Sequence, residues 1–139
     1  MKVLPGMAVS SSALTSQKLW LDLIANNISN MSTTRTETGG PYRKKMPIFA
    51  ERLREAMGED FKGYGVKVEG IVEDNSPPRM VYNPEHPDAD DEGYVAMPNI
   101  SIVNEMVDMI TATRAYEANV TVLNASKSMA LKALEIGRG

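Results

Sequence analysis

The hydrophobic pattern is strongest in the last third of the chain, from Ser101 to Ile136. This stretch contains neither Pro nor Gly, the residues that most readily break a helix. Its mostly apolar positions recur at alternating steps of four and three, the a/d repeat of a helix that packs lengthwise on another helix. We therefore predict one long C-terminal helix with Asn99 or Ser101 as its N-cap. The positions of the repeat are Ile102, Met106, Met109, Thr113, Tyr116, Val120, Leu123, Lys127, Ala130 and Leu134.

Three further apolar residues, Val103, Val107 and Ile110, widen this stripe at its N-terminal end. A stripe of that width has room for two partners. The helix would extend for roughly 50 Å, which is more than a compact domain of this size requires. We therefore expect its partner helices to lie in the N-terminal segment, in other copies of the chain, or in both.

A second helix is predicted over residues 7–29, and one of three consecutive serines is expected to cap it. Its apolar residues follow helical spacing, and its second half is apolar on more than one side. The simplest arrangement is a hairpin in which this helix packs on the C-terminal one. The serines are Ser10, Ser11 and Ser12; the stripe is Leu14, Lys18, Leu21, Ala25 and Ile28, widened by Ala13, Trp20, Leu23, Ile24 and Asn27.

The chain changes character between the two helices. Residues 26–41 are rich in Asn, Ser, Thr and Gly, and we expect them to form a mobile linker or extended arm. Alternating polar and apolar residues then predict short strands at Tyr42–Phe49, Phe61–Glu73 and Arg79–Tyr82. The polar stretch from Glu51 to Gly58 is predicted as a helical turn or loop.

Residues 83–98 are predicted to form a loop that three prolines stiffen. The loop holds several carboxylates and the single His of the chain. In the sequence this loop follows the predicted strands and precedes the long helix, so it is the last part of the middle segment.

Together these elements predict a mainly α fold with a small β part. The N- and C-terminal helices would pair as a coiled-coil-like hairpin, with a small antiparallel β insertion between them. The expected boundaries are 1–35 for the N-terminal helix and the start of the arm, 36–97 for the insertion, and 98–139 for the C-terminal helix.

Composition excludes several classes of function. A net charge of −3, without any basic stripe, argues against nucleic-acid binding. The chain has no Cys, which removes disulfides and thiolate chemistry. No stretch approaches the ~20 apolar residues of a membrane helix, so we expect no membrane insertion. The N-terminus reads as mature structure and not as a cleaved signal peptide, because Pro5 and Gly6 interrupt its short apolar patch.

The acidic loop is the one place where chemistry could be sought. Asp88, Asp90 and Glu92 match the first half of a calcium-binding EF-hand loop, but its twelfth position is Asn99, which cannot supply a bidentate carboxylate. His86 has no nucleophile or orienting acid at a recognisable spacing. We therefore predict no metal site, no cofactor and no catalytic residue, hence a protein that is not an enzyme.

Two phrases of the sequence resemble a known family. ANNISN, at residues 25–30, resembles the signature of the rod and hook proteins of the bacterial flagellum. The stretch from Tyr82 to Asn119 contains HPDAD, GYV and TRAYEAN, and it is similar to the proximal rod proteins in particular. The matches cover both ends of the chain and the acidic loop.

The resemblance implies a non-catalytic structural subunit of the flagellar basal body. Such a subunit polymerises through its terminal helices into the proximal rod, the hollow shaft that transmits torque and encloses the export channel. The partners implied are other copies of the chain, other rod proteins, ring or adaptor components, and the flagellar type III apparatus that exports it uncleaved. The rod would span the periplasm.

Specific residues acquire expected roles under this resemblance. Three asparagines would end the N-terminal helix through side-chain bonds to backbone groups, and a charged pair would set register with a neighbour. The expected helix-packing residues are Leu14, Leu21, Ile24, Met106, Met109, Tyr116, Val120 and Leu123. The family motif residues are Asn26, Asn27, Asn30, Arg114, Glu117 and Asn119.

Two other interpretations of the residues remain open. A two-helix adaptor that binds a partner helix would show the same heptads and would remain a small complex at high concentration. A calcium-binding module would fold in a metal-dependent way.

Overall fold

The computed structural model describes residues 3–51 and 65–139. The elements are α1 (Val3–Ser29), β1 (Lys45–Glu51), β2 (Val66–Glu73), β3 (Arg79–Tyr82), β4 (Tyr94–Met97) and α2 (Ile102–Arg138). This order confirms the predicted mainly helical fold, with terminal helices and a small antiparallel β part between them. The polar stretch at 52–58 and the start of the strand predicted from Phe61 lie outside the described residues.

Helix α2 is the long C-terminal helix that the sequence predicts. Ser101 is its N-cap in extended conformation (φ −93°, ψ 115°), and the Ser101 side chain accepts a hydrogen bond from the Asn104 amide at 3.4 Å. Glu105 lies in the first turn, where the positive end of the helix dipole favours a carboxylate. Its 37 residues correspond to a helix of about 55 Å.

Helix α1 begins at Val3, four residues before the predicted start. Pro5 does not prevent this early start, because backbone N–H groups in the first helical turn have no acceptor within the helix, so a residue without an N–H is tolerated there. Ser10, Ser11 and Ser12 therefore lie inside the helix and do not cap it. The 27 residues of α1 correspond to about 40 Å, so α1 is shorter than α2 by about 15 Å.

The two helices lie side by side and antiparallel. Asn27, near the end of α1, contacts Glu105 in the first turn of α2, and the helices then contact each other along their length. The last residue of α2 that is buried is Ser126, and every residue from Leu131 to Gly139 is exposed. We call residues 131–138 the α2 tail, because in the part of the chain that the structure describes nothing covers it.

The face of α2 that contacts α1 differs from the predicted stripe by half of its positions. A line of buried and half-buried residues follows steps of three and four along the helix, and we call it the seam: Ile102, Glu105, Met109, Ala112, Tyr116, Asn119, Leu123, Ser126 and Ala130. Five belong to the predicted stripe. Each of the other four seam residues directly precedes a residue of the predicted stripe: they are Glu105, Ala112, Asn119 and Ser126, in place of Met106, Thr113, Val120 and Lys127. The helix is rotated so that small and polar residues face α1, where small side chains allow close approach.

The β part consists of two separate hairpins. Strands β1 and β2 pair antiparallel from Lys45–Glu73 to Glu51–Val66, with an irregularity after Ile48 that leaves Glu69 without a partner. The exposed bulge and Pro47 both interrupt the edges of this two-stranded sheet, which discourages uncontrolled strand pairing.

The second hairpin joins β3 to β4, from Arg79–Met97 to Tyr82–Tyr94. Strand β4 lies within the segment predicted as loop. The sequence signal is weak there because four residues, YVAM, are too few to show alternation next to a proline. The rings of Tyr82 and Tyr94 pack edge to face with centroids 5.4 Å apart, a favourable cross-strand pair.

The hydrophobic core is thin. The buried apolar side chains are Leu23, Ile24, Val95, Ile100 and Ala112, and several buried positions are polar: Ser10, Ser16, Asn27, Glu105 and Ser126. The accessible surface is 10216 Å², whereas a compact monomer of 15.2 kDa exposes about 7,100 Å². The chain is therefore more extended than a compact monomer of this mass.

Candidate assembly site

Asn27 attaches one end of the hairpin β1–β2 to the helices. Asn27 is 1% exposed; its Oδ1 accepts the Lys45 amide at 2.9 Å, and its Nδ2 donates to the Lys45 carbonyl at 2.9 Å. The side-chain amide thus pairs with the edge of β1 as a neighbouring strand would. The same Nδ2 lies 3.3 Å from Glu105 Oε2 of α2, and the Tyr42 hydroxyl donates to Oδ1 at 3.2 Å.

An ion pair completes this junction. Glu105 is fully buried, and its Oε1 lies 2.5 Å from Lys44 Nζ, while Asp108 Oδ2 lies 3.9 Å from the same ammonium. A buried carboxylate requires a counter-charge and hydrogen-bond donors: Lys44 supplies the charge and Asn27 donates to Oε2, while Oε1 accepts no hydrogen bond within the described residues. Burial, together with the nearby carboxylates of Glu73 and Glu105, raises the pKa of the Tyr42 phenol. We call Asn27, Tyr42, Lys44 and Glu105 the polar junction; it joins α1, β1 and α2.

The other end of the same hairpin is held by two serines of α1. Ser12 Oγ accepts the Val66 amide at 3.1 Å, and Ser16 Oγ donates to the Val66 carbonyl at 3.4 Å. Gly65 has a φ of +108°, and a Cβ at this position would lie 2.1 Å from Ser12 Oγ. Only Gly fits both the backbone conformation and the space. The hairpin is therefore fixed to α1 at both ends of β1 and β2.

The contact between Trp20 and Phe49 lies between these two attachments. Their rings pack edge to face with centroids 5.7 Å apart. The single Trp of the chain therefore reports directly on the packing of the first hairpin against α1.

The arm that follows α1 is tied to the acidic loop. Thr34 Oγ1 donates to Asp88 Oδ2 at 2.7 Å, and the Arg35 guanidinium pairs with Asp88 Oδ1. The hydrogen bond from Thr34 and the charge of Arg35 hold the pKa of the Asp88 carboxyl below its usual range. The segment predicted as mobile thus has partners within its own chain, and we call this contact the Asp88 clip.

The remaining acidic residues of the loop form turns and not a ligand cage. Asp90 Oδ1 accepts the amides of Glu92 and Tyr94 at 3.0 and 2.8 Å, and Gly93 has a φ of +87°. His86 Nδ1 accepts the Asp88 amide at 3.0 Å. Among residues 3–51 and 65–139, no group of three or more acidic or His side chains is placed to hold a metal ion.

The residues predicted for helix packing fall into two groups. Ile24 is buried, and five others are half-buried along the helix pair: Leu14, Met109, Tyr116, Val120 and Leu123. Leu21 is also half-buried, whereas Met106 is 56% exposed. Met106 lies with Val103, Val107 and Ile110 on the side of α2 that faces away from α1, and we call these four residues the outer stripe.

The motif asparagines have different surroundings. Asn27 is the centre of the polar junction, Asn26 is exposed, and Asn30 Nδ2 donates to the Asn26 carbonyl at 2.9 Å, next to the end of α1. Asn119 lies on the seam, and its Nδ2 donates to the Ala115 carbonyl at 2.9 Å. Arg114 and Glu117 are exposed on α2.

The sequence did not reveal the partners of these motif residues. Glu105 and Lys44, Ser12 and Ser16, and the Asp88 clip were all missed. A heptad counted from Ile102 in steps of three and then four places Glu105, Ala112 and Ser126 on one face. This heptad phase contains fewer apolar residues than the predicted stripe, so the pattern of hydrophobic positions does not select it.

No helix in the described part of the chain has both the length and the apolar character needed to cross a bilayer.

Comparison with known proteins bears on both ends of the chain. Residues 7–35 match the family model described as flagella basal body rod protein. Residues 91–136 match the model described as flagellar basal body rod FlgEFG protein C-terminal. The two regions contain α1 with its asparagine motif, and β4 with most of α2.

Whole-chain relatives carry one name. The chain is 49% identical to the flagellar basal-body rod protein FlgC of Borreliella burgdorferi, over 94% of this chain and 95% of that protein. It is 47% identical to FlgC of Bacillus subtilis, with the same coverage, and 42% identical to FlgC of Escherichia coli, over 94% of both chains. These relatives support the rod subunit over the helical adaptor. The chain belongs to the FlgC family of flagellar basal-body rod proteins.

Proposed function

We propose that this flagellar rod subunit polymerises by burying the outer faces of α1 and α2 against other copies and against other rod proteins. The observation that carries the proposal is the exposed surface. In the described part of the chain this surface is apolar at many positions of α2, which are more than half exposed.

The distribution of apolar side chains supports the same proposal. The seam of α2 mixes small and polar residues with large apolar ones, and other large apolar residues of α2 are left open, among them Val103, Met106, Val122, Met129 and Leu134. Monomeric proteins rarely expose contiguous apolar surface on this scale. A subunit with neighbours on several sides would cover these residues, and the eight predicted packing residues would then contribute both within and between subunits.

The polar junction has a positioning role in this proposal. It fixes the angle between the helix pair and the first hairpin through Asn27, Lys44 and Glu105. A polymer needs subunits of one shape, and buried polar groups that must all be satisfied favour a single arrangement. The hairpins would then contact adjoining subunits outside the helical layer.

The wider context follows from the family. We propose that the chain lies in the rod where it spans the periplasm, next to other proximal and distal rod proteins and to ring or adaptor components. We propose export through the flagellar type III apparatus without a cleaved signal peptide. The role is structural and not catalytic: the shaft transmits torque and encloses the export channel. The expected segments are 1–35, 36–97 and 98–139.

Sedimentation and circular dichroism over a wide concentration range, with and without other rod proteins, test the proposal. The expected result is growth in mass that accompanies a constant or rising helicity. In cells, Tyr116→Asp or Leu123→Asp should abolish rod formation and motility, because each places a charge among packed helices. The proposal would be overturned if the chain stayed monomeric and bound no other rod protein, or if cells with either variant had normal motility.

A further inference from the structure

The second hairpin has one buried face and one exposed face. Side chains alternate along a strand, and directly paired residues share a face. The pair of Val81 with Val95 is on one side, and Val95 is 1% exposed. The pair of Tyr82 with Tyr94 is on the other side, where the two residues are 65% and 40% exposed. Met80 lies on that side too, at 52% exposure, and we call Met80, Tyr82 and Tyr94 the tyrosine face.

The exposed ring of Tyr82 is held in one position. It packs edge to face on Tyr94, and a Cβ at Gly93 would lie 2.9 Å from Tyr82 Cε2, so the ring lies directly on the Gly93 backbone. The same point is 3.2 Å from Pro84 Cβ. Asp90 exchanges two hydrogen bonds with Tyr94, each of 2.8 Å, and fixes the turn beneath the ring. An exposed aromatic side chain that is already ordered loses little entropy on binding, which is typical of the residues that contribute most to interfaces.

The tyrosine face is open in the described chain, and residues 52–64 are too few to reach it. They begin and end at the far end of the first hairpin, where the Val66 carbonyl is bonded to Ser16. About 20 Å of helix separates Ser16 from Ser29, and the Asp88 clip holds the acidic loop beyond that end of α1. Thirteen residues that leave one place and return to it reach at most about 25 Å. Fully extended, they would only just reach the end of α1.

The charged residues next to the tyrosine face in the sequence are acidic. From Met80 to Thr113 the chain contains neither Lys nor Arg, and Arg79 lies on the other side of β3. Three exposed carboxylates lie within three residues of one of the two tyrosines. Unlike Asp88, which Arg35 neutralises, they have no ion pair among the residues that the structure describes. These three are Glu85, Asp91 and Glu92.

We propose that the tyrosine face docks a basic surface of an adjoining rod subunit, with a Lys or Arg side chain over the Tyr82 ring. The proposal rests on the proposed function and specifies one of its contacts. A cation is attracted both by the face of an aromatic ring and by the surrounding carboxylates. Its aliphatic stem would cover Met80. An acidic partner would be repelled by the same carboxylates, so their charge selects the partner.

Two variants separate the contribution of the ring from that of the charges. Tyr82→Ser removes the ring, and its matched control, Tyr82→Phe, keeps it. The charge variant is Glu85→Gln with Glu92→Gln. Its matched control is Asp22→Asn with Glu69→Gln, which removes two exposed carboxylates from α1 and β2. The amide signal of Tyr94 in nuclear magnetic resonance shows whether the second hairpin remains folded, because this amide is bonded to Asp90.

The measurement is association by sedimentation, for each variant alone and with other rod proteins, at low and at physiological salt. We expect Tyr82→Ser to weaken association by about tenfold or more, and Tyr82→Phe to match the wild type. The charge variant should weaken association at low salt and should depend less on salt than the wild type does, because fewer charges remain to be screened. The control for the charge variant should keep the wild-type affinity and salt dependence.

The outcomes separate this inference from the proposed function. A folded Tyr82→Ser variant, or a charge variant, that associates as the wild type does overturns this contact and leaves the proposed function standing. If Tyr82→Ser loses the hairpin, the charge variant decides. An effect that needs other rod proteins supports the contact and assigns the basic surface to one of them, whereas an effect in the chain alone supports it and assigns that surface to a second copy. Wild-type chain that associates with nothing overturns both.

Discussion

Replacing Asn27 should detach the first hairpin from the helix pair. In Asn27→Ala, the half-buried amide and carbonyl of Lys45 both lose their partner, and the buried Glu105 loses a donor. Each buried group left without a partner costs about 1–3 kcal/mol. We expect the free energy of unfolding to fall by about 2–5 kcal/mol, a large share of the roughly 5–15 kcal/mol that stabilises a typical domain.

The neighbouring residue supplies a matched control. Asn26 is the same residue type on the same helix, but it is exposed, and no hydrogen bond of its side chain is among those that the structure describes. Asn26→Ala gains the same helix propensity, at most about 0.7 kcal/mol, without losing contacts. The difference between the two variants therefore isolates the polar junction.

Urea denaturation is the assay, followed by Trp20 fluorescence and by far-ultraviolet circular dichroism. Trp20 reports the contact with Phe49, and circular dichroism reports the helices. We expect the fluorescence midpoint of Asn27→Ala to fall at least as far as the dichroism midpoint. An Asn27→Ala variant within about 1 kcal/mol of Asn26→Ala would refute the reasoning, because the loss of partners for Lys45 and for the buried Glu105 should together cost more than that.

The isosteric variant Asn27→Asp adds a pH dependence. It keeps the acceptor Oδ1 but places a carboxylate about 3.3 Å from Glu105 Oε2. Burial and the like charge should raise the pKa of the new carboxyl in the folded state. The stability of the variant should therefore be closest to wild type in acid and should decline as the pH rises through that pKa. A deficit that does not change with pH would contradict this account.

Three further predictions concern the other attachments. Gly65→Ala should destabilise the chain by about 1–3 kcal/mol or more, since it combines a positive φ with a clash at Ser12, whereas Gly70→Ala, with open space and no positive φ, should have little effect in the same denaturation assay. Lys44→Met should lower the free energy of unfolding by about 3–5 kcal/mol, because it leaves the buried Glu105 carboxylate without its counter-charge. Adding Glu105→Gln to Lys44→Met should recover at least about 1 kcal/mol. If the effects of the two substitutions were strictly additive, the two residues would not be coupled. The pKa of Asp88 is lowered in the folded state, so the Asp88 clip stabilises the chain at pH values above the usual carboxyl pKa, and this stabilisation is lost as the pH falls through the lowered pKa. In Thr34→Val, titration followed by nuclear magnetic resonance should show a higher pKa of Asp88. An unchanged pKa would exclude the Thr34 hydrogen bond as the main cause of the shift.

Elements with a strong signal in their own local sequence were predicted correctly. A run of 36 residues without Pro or Gly predicted α2, and Ser101 was one of the two residues, with Asn99, that were predicted as its cap. Strand β3 was predicted at Arg79–Tyr82, where the structure has it. By contrast, β4 and the Ser12–Val66 contact depend on partners more than ten residues away, which no local pattern encodes.

The polar junction could not be predicted because its members are ordinary residues taken one at a time. Asn27 and Glu105 are 78 positions apart, and only the antiparallel pairing of α1 with α2 brings them together. A heptad pattern also works against finding Glu105, since a charged residue at a seam position lowers the apolar content of the correct phase. Knowledge of the arrangement was needed before its buried charge could be recognised.

The difference between the predicted stripe and the observed seam is itself informative about assembly. The sequence pattern selects the phase with the most apolar residues, and that phase includes Met106 and Leu134, which the chain leaves open. The apolar pattern of a helix reflects all the surface that is covered in the working state, whichever molecule covers it. In a self-contained hairpin the two phases should coincide. Here they share Ile102, Met109, Tyr116, Leu123 and Ala130 and differ at the other positions, so part of the apolar face, including Met106, remains exposed. The rotation of α2 places Glu105 within reach of Asn27 and Lys44, so the phase with lower apolar content is the one that forms the polar junction.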